Sequence, residues 1–236
     1  MINTIDYAIW DDLLQRYVDD FGRVNYKAWK AESADVLKQW LGTLADVDLA
    51  AVTDGDARLA LWLNAYNAIA IAQVLEVYPI DSIRPKVFGI PNWLAFLDFF
   101  TRSTSTIAGK KYSLNQIEHG ILRPSFAEPR IHFALVCASV GCPLLRRGAY
   151  FPESARTQLE ADAQRFIHNP DKVRYDAAKK TLYLSKIFQW YGEDFVKAAG
   201  SVTAYVGGYL GADAAVGDGW AIVFLPYDWN LNRVEG

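Results

Sequence analysis

Residues 57–79, ARLALWLNAYNAIAIAQVLEVYP, constrain this chain more than any other stretch. Alanine, leucine and other strong helix formers fill it, and Pro79 stops it. A helix that is apolar on nearly every face has to be enclosed on nearly every face. A bilayer would ask for about 18 or more uninterrupted apolar residues. Here Asn64, Asn67, Gln73 and Glu76 interrupt the run between Leu59 and Val77. A long buried helix near residues 57–77 is therefore expected, with no transmembrane segment.

The composition suits that demand. Hydrophobic residues make up 52% of the 236 and charged residues 22%, with a net charge of -3, which excludes a disordered chain. A chain of this length buries roughly 70% of its unfolded surface, enough for one sizeable core. A single domain over residues 1–236 is the expectation. The slight acidity argues against nucleic acid as a partner. The opening MINTIDYAIWDDLLQRY lacks a basic start followed by an apolar run, so no signal peptide is read there. A cytoplasmic location is the default, and an exported one follows if a leader precedes this sequence.

Periodicity predicts further elements. Residues 5–18 read as an amphipathic helix, and residues 26–44 as one or two more. Residues 93–100 form a short apolar helix. Ser113 followed by Gln116 is a capping box, opening a helix that Pro124 should end. Residues 130–136 read as a short strand, being apolar and flanked by Pro129 and Gly141. Residues 151–166 are helical. Residues 172–175 and 181–184 form a hairpin around Asp176 to Lys179. Residues 185–199 are one helix capped by Ser185, and residues 220–225 are a late strand. The class is α+β: predominantly helical, with a small, mainly antiparallel sheet.

Polar chemistry concentrates between positions 113 and 143, where Glu118, His119, Arg123, Arg130, His132, Cys137, Ser139 and Cys142 lie. Cys137 sits where the predicted strand runs into ASVGCP. A thiol at a strand exit can act as a nucleophile, with the backbone N–H groups of residues 138–141 holding an oxyanion. Its base would be His119 or Glu118, adjacent on a helix and about 100° apart. A regular strand would put His132 roughly 16 Å from Cys137 and on the opposite face. The competing reading makes Cys137 a small core residue. A zinc site from His119, His132, Cys137 and Cys142 has suitable atoms but unsuitable spacing, so no metal or cofactor is expected. A local Cys137–Cys142 disulfide is compatible with a turn that folds back.

Binding roles are weighed for three further residues. Asn64 shares a helix face with Asn67, and either points at a polar site or ties the helix to a loop. His132 is the lone polar side chain of IHFALV, structural or ligand-binding. Arg123, with Arg130 and Glu118, forms an anion site or an ion-paired network. Trp190, Tyr191, Trp220, Tyr227 and Trp229 read as packing, with a carbohydrate or peptide platform as the other option.

The segments DDLLQRYVDDFGRVNYKAWK, LALWLNAYNAIAI, YSLNQIEHGILRP, RIHFALVCASVGCPLL, LSKIFQWYGEDF and LPYDWNLN together resemble the DUF547 family, found in bacteria and in plants, where the domain follows a leucine zipper. CPLL stands where the family pattern has a second proline. The resemblance implies a domain of that family without implying a reaction. A looser resemblance, a long helix followed by a histidine-bearing segment, is to papain-like and transglutaminase-like folds. Their nucleophile opens the helix, whereas residues 59–77 contain no cysteine. The functional expectation is a thiol-dependent hydrolase or acyl transferase acting on a small-molecule or peptide substrate. The alternative is a non-catalytic module that binds a peptide or a protein partner.

Overall fold

The computed structural model describes residues 5–214, 216–217 and 219–234. Three helices build the first layer: α1 (Ala8–Tyr17), α2 (Tyr26–Thr43) and α3 (Gly55–Val77). α3 is the expected central helix. Asp54 caps it by accepting from the Ala57 N–H at 2.7 Å, and its side chains are buried from Leu59 to Ile71 without a break. It is long and apolar enough to cross a membrane, but most of it is buried inside the protein, which accounts for its composition. α1 and α2 cover it through stacked indoles, Trp10 on Trp40 at 5.5 Å. α2 is broken by a kink at Ser33, whose hydroxyl meets Tyr17 at 2.8 Å, so the 26–44 segment is two helical stretches joined end to end.

A hairpin of β1 (Lys86–Val87) and β2 (Ile90–Pro91) leads into α4 (Trp93–Thr101), which has no buried residue. A second hairpin pairs β3 (Ser105–Ile107) with β4 (Lys110–Tyr112). The capping box at Ser113 and Gln116 then opens α5 (Leu114–Ile117) as expected.

Pro124 does not end this helix. A π-helical turn at Glu118–Leu122 lets the Arg123 N–H reach back to Glu118 O. Pro124 thereby falls in the first turn of α6 (Arg123–Phe126), where a missing N–H is harmless. Ala127, in the left-handed region, stops the helix.

The predicted strand at 130–136 is also absent. Pro129–Phe133 is a 3-10 helix whose first turn is capped by Glu128. Beyond it, Asn67 of α3 supplies the pairing a sheet would have given. Its Nδ2 donates to Ala134 O at 2.9 Å and its Oδ1 accepts from Val136 N at 3.0 Å. The closing segment takes over next: Val140 N donates to Asn230 O and Gly141 N to Asp228 O.

The second layer contains α7 (Ala155–Ile167) and a sheet of order β5-β6-β7, comprising β5 (Val173–Asp176), β6 (Thr181–Leu184) and β7 (Ala221–Phe224). The predicted hairpin is β5–β6, in the register Asp176 to Thr181, and β7 joins β6 in parallel. The 185–199 segment breaks into α8 (Ile187–Trp190) and α9 (Gly192–Ala199) at Tyr191, and α10 (Val202–Leu210) follows. Ser185 lies one residue outside the N-cap, which is Lys186. Phe133, Phe166, Phe188 and Phe195 pack together here as a core distinct from the one around α3.

Candidate functional site

A pocket of about 680 Å³ opens between the two layers, a volume suited to a small molecule or a peptide side chain. Glu118, His119, His132, Cys137 and Cys142 all line it, together with Tyr66, Tyr191 and Tyr227. Aromatic rings from α4, α8 and the closing segment form its walls, among them Phe96, Trp190 and Trp229. The fold thus gathers residues of both layers on one cavity.

The π turn delivers the first group. Such wide turns often occur at functional sites because they re-aim side chains. Glu118 is buried and accepts from the Tyr66 hydroxyl at 3.3 Å. Burial, with the Glu118 charge second, pushes the Tyr191 phenol far up, so it stays protonated. His119 is more exposed, and its Nε2 lies 3.9 Å from Glu118. Its Nδ1 faces Arg123 Nη1 at 3.0 Å. A guanidinium only donates, so Nδ1 is the acceptor of that contact.

The 3-10 helix delivers His132. Its Nε2 meets Asp194 Oδ2 at 2.8 Å, and Arg123 clamps the same carboxylate through Nε at 2.7 Å and Nη2 at 3.0 Å. Hydrogen bonding from His132 first, then from Arg123, holds the Asp194 carboxyl well below its ordinary range. Burial outweighs the Asp194 contact and pushes His132 down, favouring the neutral ring. Tyr191 stacks on that ring at 3.8 Å, and the buried Nδ1 has no partner among the described residues.

The 137–142 turn delivers the thiols. Both cysteines are free. Cys137 is half-buried, with its sulfur 3.2 Å from Ser139 Oγ and 3.7 Å from the Tyr227 hydroxyl. Cys142 is buried, and its sulfur accepts from the Cys137 N–H and from the Tyr227 hydroxyl, each at 3.1 Å. Burial pushes the Cys142 thiol up, but the hydrogen bonds from Cys137, Tyr227 and Ser139 outweigh it and hold it below the ordinary thiol range. The neighbouring Cys142, and burial after it, push Cys137 up. Of the two thiols, Cys142 is therefore the more acidic, and its neighbour at 137 the less.

Ala138 has a φ of +64°, a strained conformation for a residue with a Cβ. Gly141 is required by a close approach, since a Cβ there would lie 2.7 Å from the Tyr227 ring and 2.8 Å from Asp228 O. Because the N–H groups of Val140 and Gly141 are spent on the closing segment, neither is open to an oxyanion, contrary to the sequence expectation for that turn.

The remaining candidates fall away from the cavity. Asn64 accepts from Trp10 Nε1 at 3.1 Å and Tyr150 N at 2.9 Å, and donates to Tyr150 O at 2.7 Å. Its amide ties α3 to the loop before α7 and is not part of the pocket lining. Arg123 lies behind the lining, as the partner of Asp194 and His119. Among the described residues no three His, Cys, Asp or Glu side chains are grouped to hold a metal ion.

Sequence reasoning missed Asp194, and it read Tyr191 and Tyr227 as packing, with a carbohydrate or peptide platform as the other option, and not as partners of the histidine and the thiols. Asp194 carries a weak signal as an acid in the first turn of a short amphipathic helix. Tyr227 carries none, because the return of its segment to residues 138–141 is a long-range pairing.

Compared with known protein families, residues 50–167, half of the chain, match the model of the family described as "Protein of unknown function, DUF547". The chain belongs to the DUF547 family. No curated protein and no solved structure gives a match. The DUF547 match takes in Glu118, His119, His132 and both thiols, while Tyr191, Asp194 and Tyr227 lie beyond it.

Proposed function

We propose that this pocket carries out thiol-dependent hydrolysis or acyl transfer, with Cys137 as the nucleophile. The observation that supports it most is a half-buried sulfur lining a cavity that also holds a buried imidazole with an unpartnered Nδ1. A nucleophile needs a base, and a base needs an orienting group. Asp194 orients His132 in that sense, with the proton on Nε2 and the lone pair on Nδ1.

In the first step the Cys137 proton moves to the base as its sulfur attacks an acyl carbon. The C–S bond forms, the bond to the leaving group breaks, and the leaving group departs with that proton. Water or a second nucleophile then cleaves the thioester. The N–H groups of Ala138 and Ser139 donate to no backbone carbonyl among the described residues, which leaves them as the candidate oxyanion donors of the turn. Glu118 with His119 is the second candidate base, favoured by its contact with Tyr66 inside the same lining.

Iodoacetamide labelling across pH, read by peptide mass spectrometry, tests the reading. Cys137 should react in the native protein, and His132→Gln should slow it more than His119→Gln does. The reverse order would transfer the role of base to Glu118 and His119. Labelling of Cys137 only after denaturation would overturn the proposal.

A further inference from the structure

Arg84 enters the same pocket between two indoles, 5.6 Å from the Trp93 ring and 5.1 Å from that of Trp229. Ser82 fixes its backbone by accepting from the Arg84 N–H at 3.0 Å, and the Ser82 hydroxyl in turn donates to Trp229 O. The guanidinium is thus held in place by stacking. Among the described residues it makes no ion pair and no side-chain hydrogen bond to protein, and its Nε is buried without a partner. Asp81 and Asp228 border a second cavity of about 610 Å³ that Arg84 also lines, but neither comes within ion-pair distance of it; Asp81 pairs with Arg233.

The charge inventory of the pocket points the same way. Lys186 also lines it, with Nζ on the neutral Gln189 amide. Glu118 is the carboxylate of the lining, and Tyr66 already engages it. An arginine presents five donors in a planar fork that matches a two-oxygen anion. Aromatic faces that flatten and desolvate the fork leave its edge for such a ligand.

We infer that the pocket takes an acyl compound bearing an anionic group, a carboxylate or a phosphate, at its non-reacting end, with Arg84 as the residue that recognises that group. The inference rests on the proposed function for which end reacts, but recognition of the anion is measurable without turnover. The aromatic wall suits an aryl or alkyl body between the two ends.

Binding of phenylacetate, phenyl phosphate and the neutral phenylacetamide, followed by calorimetry and by the indole N–H signals of Trp93 and Trp229, tests it. At least one of the anions should bind about tenfold or more tightly than the amide, the worth of one charge-assisted hydrogen bond. Arg84→Gln should abolish that preference, and Arg84→Lys should retain part of it. A stronger phenyl phosphate signal would assign the anion as phosphate, and a stronger phenylacetate signal as carboxylate. Equal binding of acid and amide, or a preference unchanged in a folded Arg84→Gln protein, would overturn the inference. Cys137→Ser should keep the preference. A thiol that proves inert beside an intact preference would remove the hydrolase reading and leave the anion site standing.

Discussion

His132 and Asp194 are joined at 2.8 Å, and the ionised carboxylate, which only accepts, fixes the proton on Nε2. The free lone pair is consequently on the other nitrogen, which is buried without a partner among the described residues, on a ring that borders the pocket. Asp194→Asn would keep the shape and lose that tautomer control, and it would leave Arg123 without its carboxylate. Expected outcomes are slower Cys137 alkylation near neutral pH and a loss of about 1–3 kcal/mol of stability in urea unfolding.

The same imidazole gives the fold a pH dependence. Burial lowers the folded value of His132 below its unfolded 6.5. The unfolded chain therefore takes up the proton first. The stability this group contributes is complete above that value and drains away as pH falls below it toward the folded value. Urea midpoints at pH 7 and pH 5 should fall further for the wild type than for His132→Gln; equal falls would contradict the assignment.

Removing Cys142 should free its neighbour. With Cys142→Ser the group that raises Cys137 disappears, and the alkylation midpoint of Cys137 should move to lower pH. A midpoint that stays or rises would contradict the coupling of the two thiols.

The two amides of α3 separate anchoring from positioning. Asn64→Ala and Asn67→Ala each strip buried hydrogen bonds, and each should cost about 2–4 kcal/mol. Only Asn67 grips the backbone leading to Cys137, so Asn67→Ala should also change the rate of Cys137 labelling in the folded protein. Equal labelling in the two variants would remove the positioning role.

Gly141→Ala is the sharpest local test. The new Cβ would collide with the Tyr227 ring and Asp228 O, displacing the hydroxyl that donates to Cys142. The Cys142 thiol should titrate higher in this variant, followed by thiolate absorbance near 240 nm.

Local grammar was readable in the sequence. The buried α3, the Ser113–Gln116 box and the β5–β6 hairpin each rest on residues a few positions apart, where propensity and capping act. The candidate cluster around Glu118, His119, His132 and Cys137 was readable as a density of reactive side chains. Its geometry was not. An apolar 130–136 segment bounded by proline and glycine has a strand's composition, but an amide 67 positions upstream of Ala134 takes its hydrogen bonds. The 3-10 helix at Pro129–Phe133 replaces the extended geometry that set His132 apart from Cys137. Asp194 was invisible for a related reason: its partners lie 62 and 71 positions away.

The 131–134 segment crosses from one hydrophobic core to the other, with Ile131 and Ala134 on the α3 side and Phe133 among the phenylalanines of the second layer. His132 therefore sits on the seam, held by a carboxylate rooted in the smaller core, which an arginine rooted in the larger grips in turn. Reactivity becomes a gauge of how firmly these halves mate. A variant that loosens the smaller half alone should change Cys137 labelling while the bulk of the molecule still melts as before.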